Sequence, residues 1–449
     1  LRKKLFGQPL TKWKAQKHYL AIIGTSDGSA IASWRGIGLK AGILLTLKHW
    51  IDRRFMTKYQ HLRMPNLPSP IPFPGIEAKP NIKINDPAFS SMRCLGCAAK
   101  ANYQVLETAL EDAKNIARSV GADAAFLPDN GLERDVMKLT GPPPGYSLVQ
   151  SADTLSEIVS DPFILGRISA IHALSDLYAA MATPTSALAV INLPEASLAI
   201  QTNQLTQILS GSLVALSEAG VKLNGGHTSE GGTLSVGFSI TGHIMNSAPP
   251  DSGYKKCAFN DNVFVLTKPL GTGVIMAANM RLVAKAAWVE AAIEQMTKSN
   301  EYAANLLKSF GVIAATDITG FGLARHALNL SRRLGAKGCV LNLSELPLLP
   351  GTAQLFLSGV RSSLHNQNRE AVVVEPKLFS KNTDVLAQIE ALFDPQTSGG
   401  LLGVLPRKRA QSLVKRLNEN GHHAAMIGNL DFTIDSVQLV SDEFKPKAG

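Results

Sequence analysis

Residues 146–192 read YSLVQSADTLSEIVSDPFILGRISAIHALSDLYAAMATPTSALAVIN, and the change of pattern along them decides the fold class. Tyr146–Ala152 is a short strand-like run. Asp161-Pro162 then joins a capping carboxyl to a proline at the first helical position, and the apolar residues that follow carry a helix to about Met181. Ser186–Asn192 returns to a strand. Further on, Asn203–Glu218 predicts a second helix stopped by Gly220. Val221–Asn224 and Leu234–Thr241 predict two more strands, the latter alternating Leu234, Val236, Phe238 and Ile240. The order is β-α-β-α-β-β, which implies α/β layering. Upstream, Asn102 caps a predicted helix to Ala113.

A second α/β series follows. Strands are expected over Asn262–Thr267, Gly311–Ala315, Ala371–Val374, Leu401–Leu405 and Ala424–Ile427, with helices around Ala284–Phe310 and from Gly320. The break between the two series falls near 245–257, in NSAPPDSGYKK. Residues 65–88 hold seven of the 24 prolines and predict a semi-rigid extended linker. The expected divisions are therefore 1–64, the linker 65–88, a first α/β domain over 89–250 and a second over 251–449. A chain of 449 residues suits two or three domains.

Before the linker, His18–Gly24 and Ala30–Trp34 read as two strands around a Ser26-Asp27-Gly28 turn. In Ala41–Met56, Leu44, Leu47, Ile51 and Phe55 recur at helical spacing beside Lys48, Arg53 and Arg54. Such a helix packs on its own domain or lies on an anionic membrane surface. Gly36–Ala41 superficially fits a dinucleotide-binding pattern but lacks the surrounding βαβ unit.

Charge is unevenly placed. Residues 1–64 carry 13 Lys/Arg and two acids, so they account for the whole net charge of +10, and the remainder is close to neutral. That argues against nucleic-acid binding by the main body. Four cysteines are too few for a disulfide scaffold and fit a reducing, cytoplasmic setting. No uninterrupted apolar run is long enough to span a membrane. The start at Leu1, without a signal-peptide pattern, suggests a fragment or processed chain.

Chemistry is expected at acidic residues near element ends. Asp153 follows a strand, Asp176 lies one turn beyond His172 on a helix, Asp317 closes a strand in AATDITGFG, and Asp135 sits in LERDVM. Carboxylates that converge repel one another unless hard divalent cations neutralise them, as happens around a polyphosphate. The glycine-rich segments Asn224–Thr228, Gly320–Gly322 and Thr397–Gly400 are turns at which backbone N–H groups can approach phosphate oxygens. No P-loop is present. Cys94-Leu95-Gly96-Cys97 followed by Lys100 fits half a zinc site, a dithiol pair, or one reactive thiol beside a cation.

GCAAKANYQVLETAL, SADTLSEIVSDPFILGRISAIHALSDLYAA, NGGHTSE, LTKPLGTGV, TDITGFGLARH and DPQTSGGLL, in this order over roughly 94–430, resemble the blocks of the selenophosphate synthetase (selenide, water dikinase) family. The resemblance implies the two-domain aminoimidazole ribonucleotide synthetase-like fold, here preceded by a small partial domain. It implies a homodimer with ATP between the domains, under a mobile N-terminal loop. ATP, selenide and water would give selenophosphate, AMP and phosphate, supplying activated selenium. Cys97 matches the catalytic cysteine and Lys100 the essential lysine. Asp135, Asp153, Asp176 and Asp317 match carboxylates for Mg²⁺ and ATP, and Arg134, Gly226, His227 and Thr228 match nucleotide contacts. The matches differ in three places: Cys-Ala-Ala-Lys replaces the frequent Cys-Gly-Cys-Lys, His172 stands where Asn is usual, and LERDVMKL holds one Asp instead of two. The alternatives are another ATP-dependent enzyme of the same superfamily and a non-catalytic regulatory paralogue.

HYLAIIGTSDGSAIASWRGIGLKAG and HWIDRRFM, within residues 1–64, are similar to the C-terminal end of a flavin-dependent oxidoreductase of the NADH-dehydrogenase type. This implies an upstream oxidoreductase module in a longer fused chain, with peripheral membrane contact through residues 41–56 as one consequence.

Overall fold

The computed structural model describes residues 21–25, 28–34, 37–60, 100–122, 139, 141–246, 261–374 and 383–441. The chain divides into two units between Ser90 and Ser91.

In the first unit, β1 (Ala21–Gly24), β2 (Ala30–Trp34) and β3 (Ile37–Ala41) form an antiparallel sheet in that order, followed by helix α1 (Gly42–Gln60). The expected hairpin forms, with Gly24 opposite Ala30. His18–Leu20, Ser26 and Asp27 lie outside the described residues. The segment with the dinucleotide-like pattern supplies β3 instead of a phosphate turn. Along α1, Leu44 and Leu45 are half-buried, whereas Ile43, Leu47, Trp50 and Ile51 are exposed. Much of the apolar stripe therefore faces outward. No helix among the described residues is long and apolar enough to cross a membrane.

The second unit begins with α2 (Tyr103–Ser119), whose Asn102 cap accepts the Gln104 N–H at 2.8 Å. Val105, Ala109, Ala113 and Ala117, four residues apart, form its buried stripe. The β-α-β-α-β-β order is realised by β4 (Tyr146–Ser156), α3 (Pro162–Ala179), β5 (Thr183–Pro194), α4 (Leu198–Glu218), β6 (Lys222–Gly231) and β7 (Ser235–Met245). The four-stranded sheet runs β4-β7-β5-β6, with β5 and β6 parallel and the other pairs antiparallel. At the start of α3, Asp161 accepts the Ile164 N–H at 3.0 Å, as the Asp-Pro pair predicts. Helices cover one face of this sheet, and Leu148, Leu188 and Val190 are exposed on its strands.

The second lobe of this unit is built on a six-stranded sheet, β13-β10-β12-β8-β11-β9. Its strands are β8 (Asn262–Leu266), β9 (Ala314–Asp317), β10 (Gly338–Asn342), β11 (Leu401–Pro406), β12 (Ala425–Asp431) and β13 (Val437–Val440). Its helices are α5 (Thr272–Met280), α6 (Ala286–Met296), α7 (Glu301–Ser309), α8 (Gly322–Arg333), α9 (Thr352–Leu357), α10 (His365–Glu370), α11 (Thr383–Ala391) and α12 (Arg407–Glu419). Strand β8 is buried at every position, as a central strand must be.

Three expectations change here. The single helix over 284–310 is α6 and α7, broken at Thr297–Asn300. The strand at 311–315 starts later, at Ala314, because Gly311 (φ +71°) first closes α7 by donating to Lys308 O at 3.1 Å. Ala371–Val374 is no full strand: it follows α10 and keeps a single bridge, from Val374 to Val437.

Helices α3 and α4 cross through glycine on both sides. A Cβ on Gly166 would stand 2.0 Å from Ile208 O, and one on Gly211 would stand 1.9 Å from Phe163 O. The backbones touch, which fixes α3 against sliding. Gly211→Ala is expected to destabilise the second unit by about 1–3 kcal/mol through forced separation of the helices, checked by urea unfolding with circular dichroism.

Candidate active site at the junction of the two lobes

Asp153 lies opposite Phe238 on β7. Directly paired residues leave a sheet on the same side, and Phe238 is buried in the core. Asp153 consequently points toward the helix-covered face, where α3 presents Asp176 in its last turn. The two carboxyls face each other, and both act electrostatically on Asp317, at the end of β9 in the other lobe. Burial raises the Asp153 carboxyl above its ordinary range. It raises Asp176 as well, with the Asp153 charge adding to the shift. Asp317 is 6% exposed; burial and then the Asp176 charge push it up to about 7. Its Oδ2 is buried without a hydrogen-bond partner. The Ser151 hydroxyl is directed toward Asp176 without closing a bond of normal length.

A second group of expected residues gathers on β6. Ala101 N–H donates to Thr228 O at 3.0 Å, and Lys100 bridges to Ser229, so the chain directly after the cysteine loop is zipped to the end of Gly226-His227-Thr228. These residues form no turn, contrary to expectation. They belong to the strand, and the pairing with β5 shifts register next to Ala187 and Leu188. Only glycine fits at 226, where a Cβ would stand 2.1 Å from Ala189 O. Asp153, Phe238, Ala189 and Gly226 form one row across the sheet. Asp153 and the Lys100–Thr228 group thus sit on opposite edge strands, three strand spacings or about 14 Å apart. Cys94, Cys97, Arg134 and Asp135 lie outside the described residues. Among the described residues, no three His, Cys, Asp or Glu side chains gather closely enough to hold a metal ion by themselves.

The junction is held by residues that motif reading did not single out. Lys268, 1% exposed, donates from Nζ to Ser398 O at 3.0 Å, Lys298 O at 2.5 Å and Gln295 O at 3.4 Å. Burial, helped by the Lys298 charge, pushes its ammonium down to about 7, and Asp317 opposes the shift. Ser398, with φ +48°, donates its N–H to His172 Nδ1 at 3.2 Å. His172 therefore accepts from the Thr397–Gly400 turn; burial pushes it down to about 4, so it is the neutral ring that accepts. Gly400 O takes the Ile318 N–H at 2.9 Å, directly after Asp317. Gln396 Oε1 and Asp394 Oδ2 accept the first N–H groups of α5, from Gly271, Thr272 and Val274, at 3.0–3.2 Å. LTKPLGTGV and DPQTSGG are thus two halves of one clasp. The available signal was a lone lysine in an apolar strand end, together with amide and carboxyl side chains beside a glycine pair.

Two family descriptions match: AIR synthase related protein, N-terminal domain, over residues 121–244, and its C-terminal domain over 260–431. A selenide, water dikinase of Geobacter sp. is 36% identical over 353 residues, covering 76% of this chain and 94% of that protein. The chain belongs to the selenide, water dikinase family. A member from Shewanella sp. is 32% identical over 351 residues, covering 77% of this chain and 94% of its own. Among solved structures, thiamine-monophosphate kinase from Stenotrophomonas maltophilia is similar, with a TM-score of 0.54 and 20% identity over 74% of this chain and 95% of that one. The Escherichia coli hydrogenase maturation protein HypE has a TM-score of 0.52 and 14% identity, over 75% and 93%. These likenesses show the fold that the selenide, water dikinase family uses.

Asp317 is costly to the folded chain. Its folded-state value, about 7, lies above the ordinary carboxyl range, so its contribution to stability falls as pH rises from about 4 to 7. At pH 8, without metal or nucleotide, Asp317→Asn is expected to raise the melting temperature by roughly 2–5 °C; differential scanning calorimetry would check the sign.

Proposed function

We propose that this chain catalyses ATP + selenide + water → selenophosphate + AMP + phosphate, with Mg²⁺ as the cation. The observation that carries this reading is the meeting of Asp153, Asp176 and Asp317 at the lobe junction of a chain from this family. Mg²⁺ fits the donor set: hard carboxylate oxygens, one of them buried and unpartnered, on groups shifted upward by burial and, at Asp176 and Asp317, by neighbouring carboxyl charge that a cation would relieve. Side chains alone do not complete a coordination sphere among the described residues, so phosphate oxygens, with Asp135, would supply the rest. When bound, Mg²⁺ neutralises the triphosphate and the charge that develops during transfer.

The remaining roles belong to the chain. Asp153, Asp176 and Asp317 hold the triphosphate end. The nucleotide then reaches from this end toward Gly226-His227-Thr228, where bare backbone permits close approach. Lys100, tied to this edge, adds positive charge from the loop, and Arg134 joins the nucleotide contacts. Cys97, three residues before Lys100, steers the soft selenide by non-covalent contact with its sulfur, and a selenide lone pair attacks the phosphoryl phosphorus as that phosphorus loses its bond to the bridging oxygen of the leaving group. A closed loop excludes competing water.

The exposed Leu148, Leu188 and Val190 on the open sheet face support a homodimer assembled there. The outward Ile43, Leu47, Trp50 and Ile51 beside Lys48, Arg53 and Arg54 support contact of α1 with an anionic membrane surface in the cytoplasm. That contact is refuted if the chain does not sediment with anionic vesicles at low salt. The same unit suits attachment to an upstream oxidoreductase module.

The purified chain with ATP, Mg²⁺ and selenide is expected to form selenophosphate and AMP, followed by phosphorus NMR. Cys97→Ser should lower the rate by about a hundredfold or more, while Cys94→Ser stays near wild type. ATP hydrolysis without selenophosphate would point to another superfamily activity, and no ATP cleavage at all to a regulatory paralogue.

A further inference from the structure

Asn300 occupies the N-cap of α7, where asparagine ordinarily turns its side-chain oxygen onto the first free N–H groups, yet it makes no capping bond. Its side chain is turned across the lobe junction. Nδ2 donates to Ser175 Oγ at 2.9 Å and to Gly399 O at 2.8 Å. The residue is 1% exposed, and its Oδ1 is buried without a partner. A carbonyl can only accept, so the atom facing Gly399 O must be the nitrogen. Ser175 Oγ then accepts from that nitrogen, which leaves its single hydrogen for another acceptor. The group it faces is the Asp317 carboxyl.

Ser175 immediately precedes Asp176 on α3, and Gly399 immediately precedes Gly400, whose carbonyl holds Ile318 beside Asp317. One amide therefore touches the residue that precedes Asp176 and the residue that precedes Gly400, the holder of Ile318 next to Asp317. We propose that Asn300 is a positioning residue: through Ser175 and Gly399 it sets the spacing of Asp176 and Asp317 and turns the Ser175 hydrogen toward Asp317. This deepens, and rests on, the reading of these aspartates as the holders of Mg²⁺ and triphosphate. A helix cap has been given up and an amide oxygen left unbonded at this place, which a purely structural asparagine would avoid.

The test uses the full chain and calorimetric binding of a non-hydrolysable ATP analogue at varied Mg²⁺. Asn300→Asp keeps the shape but sets an acceptor against Gly399 O. It is expected to raise the Mg²⁺ concentration for half-maximal binding about tenfold, the scale of one charge-assisted hydrogen bond. Ser175→Ala should shift it in the same direction, and Ser175→Thr, which keeps the hydroxyl, should restore it. The double variant Asn300→Asp/Ser175→Ala should be non-additive, because both act through one bond. A lowered melting temperature with an unchanged Mg²⁺ requirement would overturn the inference. Should Asn300→Asp fail to fold, equal Mg²⁺ requirements for Ser175→Ala and Ser175→Thr would overturn it as well. The readout needs no selenide, so a chain that makes no selenophosphate refutes the reaction proposed above while the variant series still decides this inference.

Discussion

Like-charge repulsion at the lobe junction is the constraint around which the second unit is organised. Three carboxyls that would separate in water are brought within electrostatic reach of one another and desolvated. Nothing about those side chains favours the arrangement, so the neighbouring backbone has to impose it. The imposed restraint is visible on every side: Asp153 is fixed by eleven-residue strand pairing between β4 and β7, Asp176 by the close crossing of α3 and α4, and Asp317 by its ladder with β11.

The clasp of Asp394–Gly400 shows how polar chemistry can be buried safely around such a centre. Gln396 and Asp394 satisfy the start of α5, and the Lys268 ammonium donates to the Ser398 and Lys298 carbonyls and to that of Gln295, which also takes the Lys298 N–H. Each partner compensates for desolvation of the other, as buried polar groups require. His172 is part of this clasp. Its ring is spent on the Ser398 N–H, which makes it a structural acceptor.

Much of this was legible in the chain itself. The Asp-Pro cap, the glycine stops and the period-two run from Leu234 to Ile240 carry local information, and they placed the first lobe's elements close to where they lie. The second lobe was harder. Short strands such as β10 and β13 depend on distant partners for their pairing, and the break between α6 and α7 follows from Asn300 serving the other lobe. Asp176 and Asp317 could be singled out because acids at element ends are conspicuous, whereas Asp153, expected at a strand end, lies inside β4 because the strand runs on to Ser156. Asn300 and Lys268 could not: their meaning lies in contacts more than 90 residues away. The Gly226 segment was misread as a turn because glycine marks close approach as well as reversal.

Asp176 sits in the final turn of α3, where the helix dipole presents its negative end. The packed carboxyls therefore hold electrostatic work that a bound cation would recover. On the proposed reading, in which a cation and a nucleotide bind there together, each would tighten the other's hold by the same factor, whichever arrives first. Occupancy of such a site would then follow both ligand concentrations together.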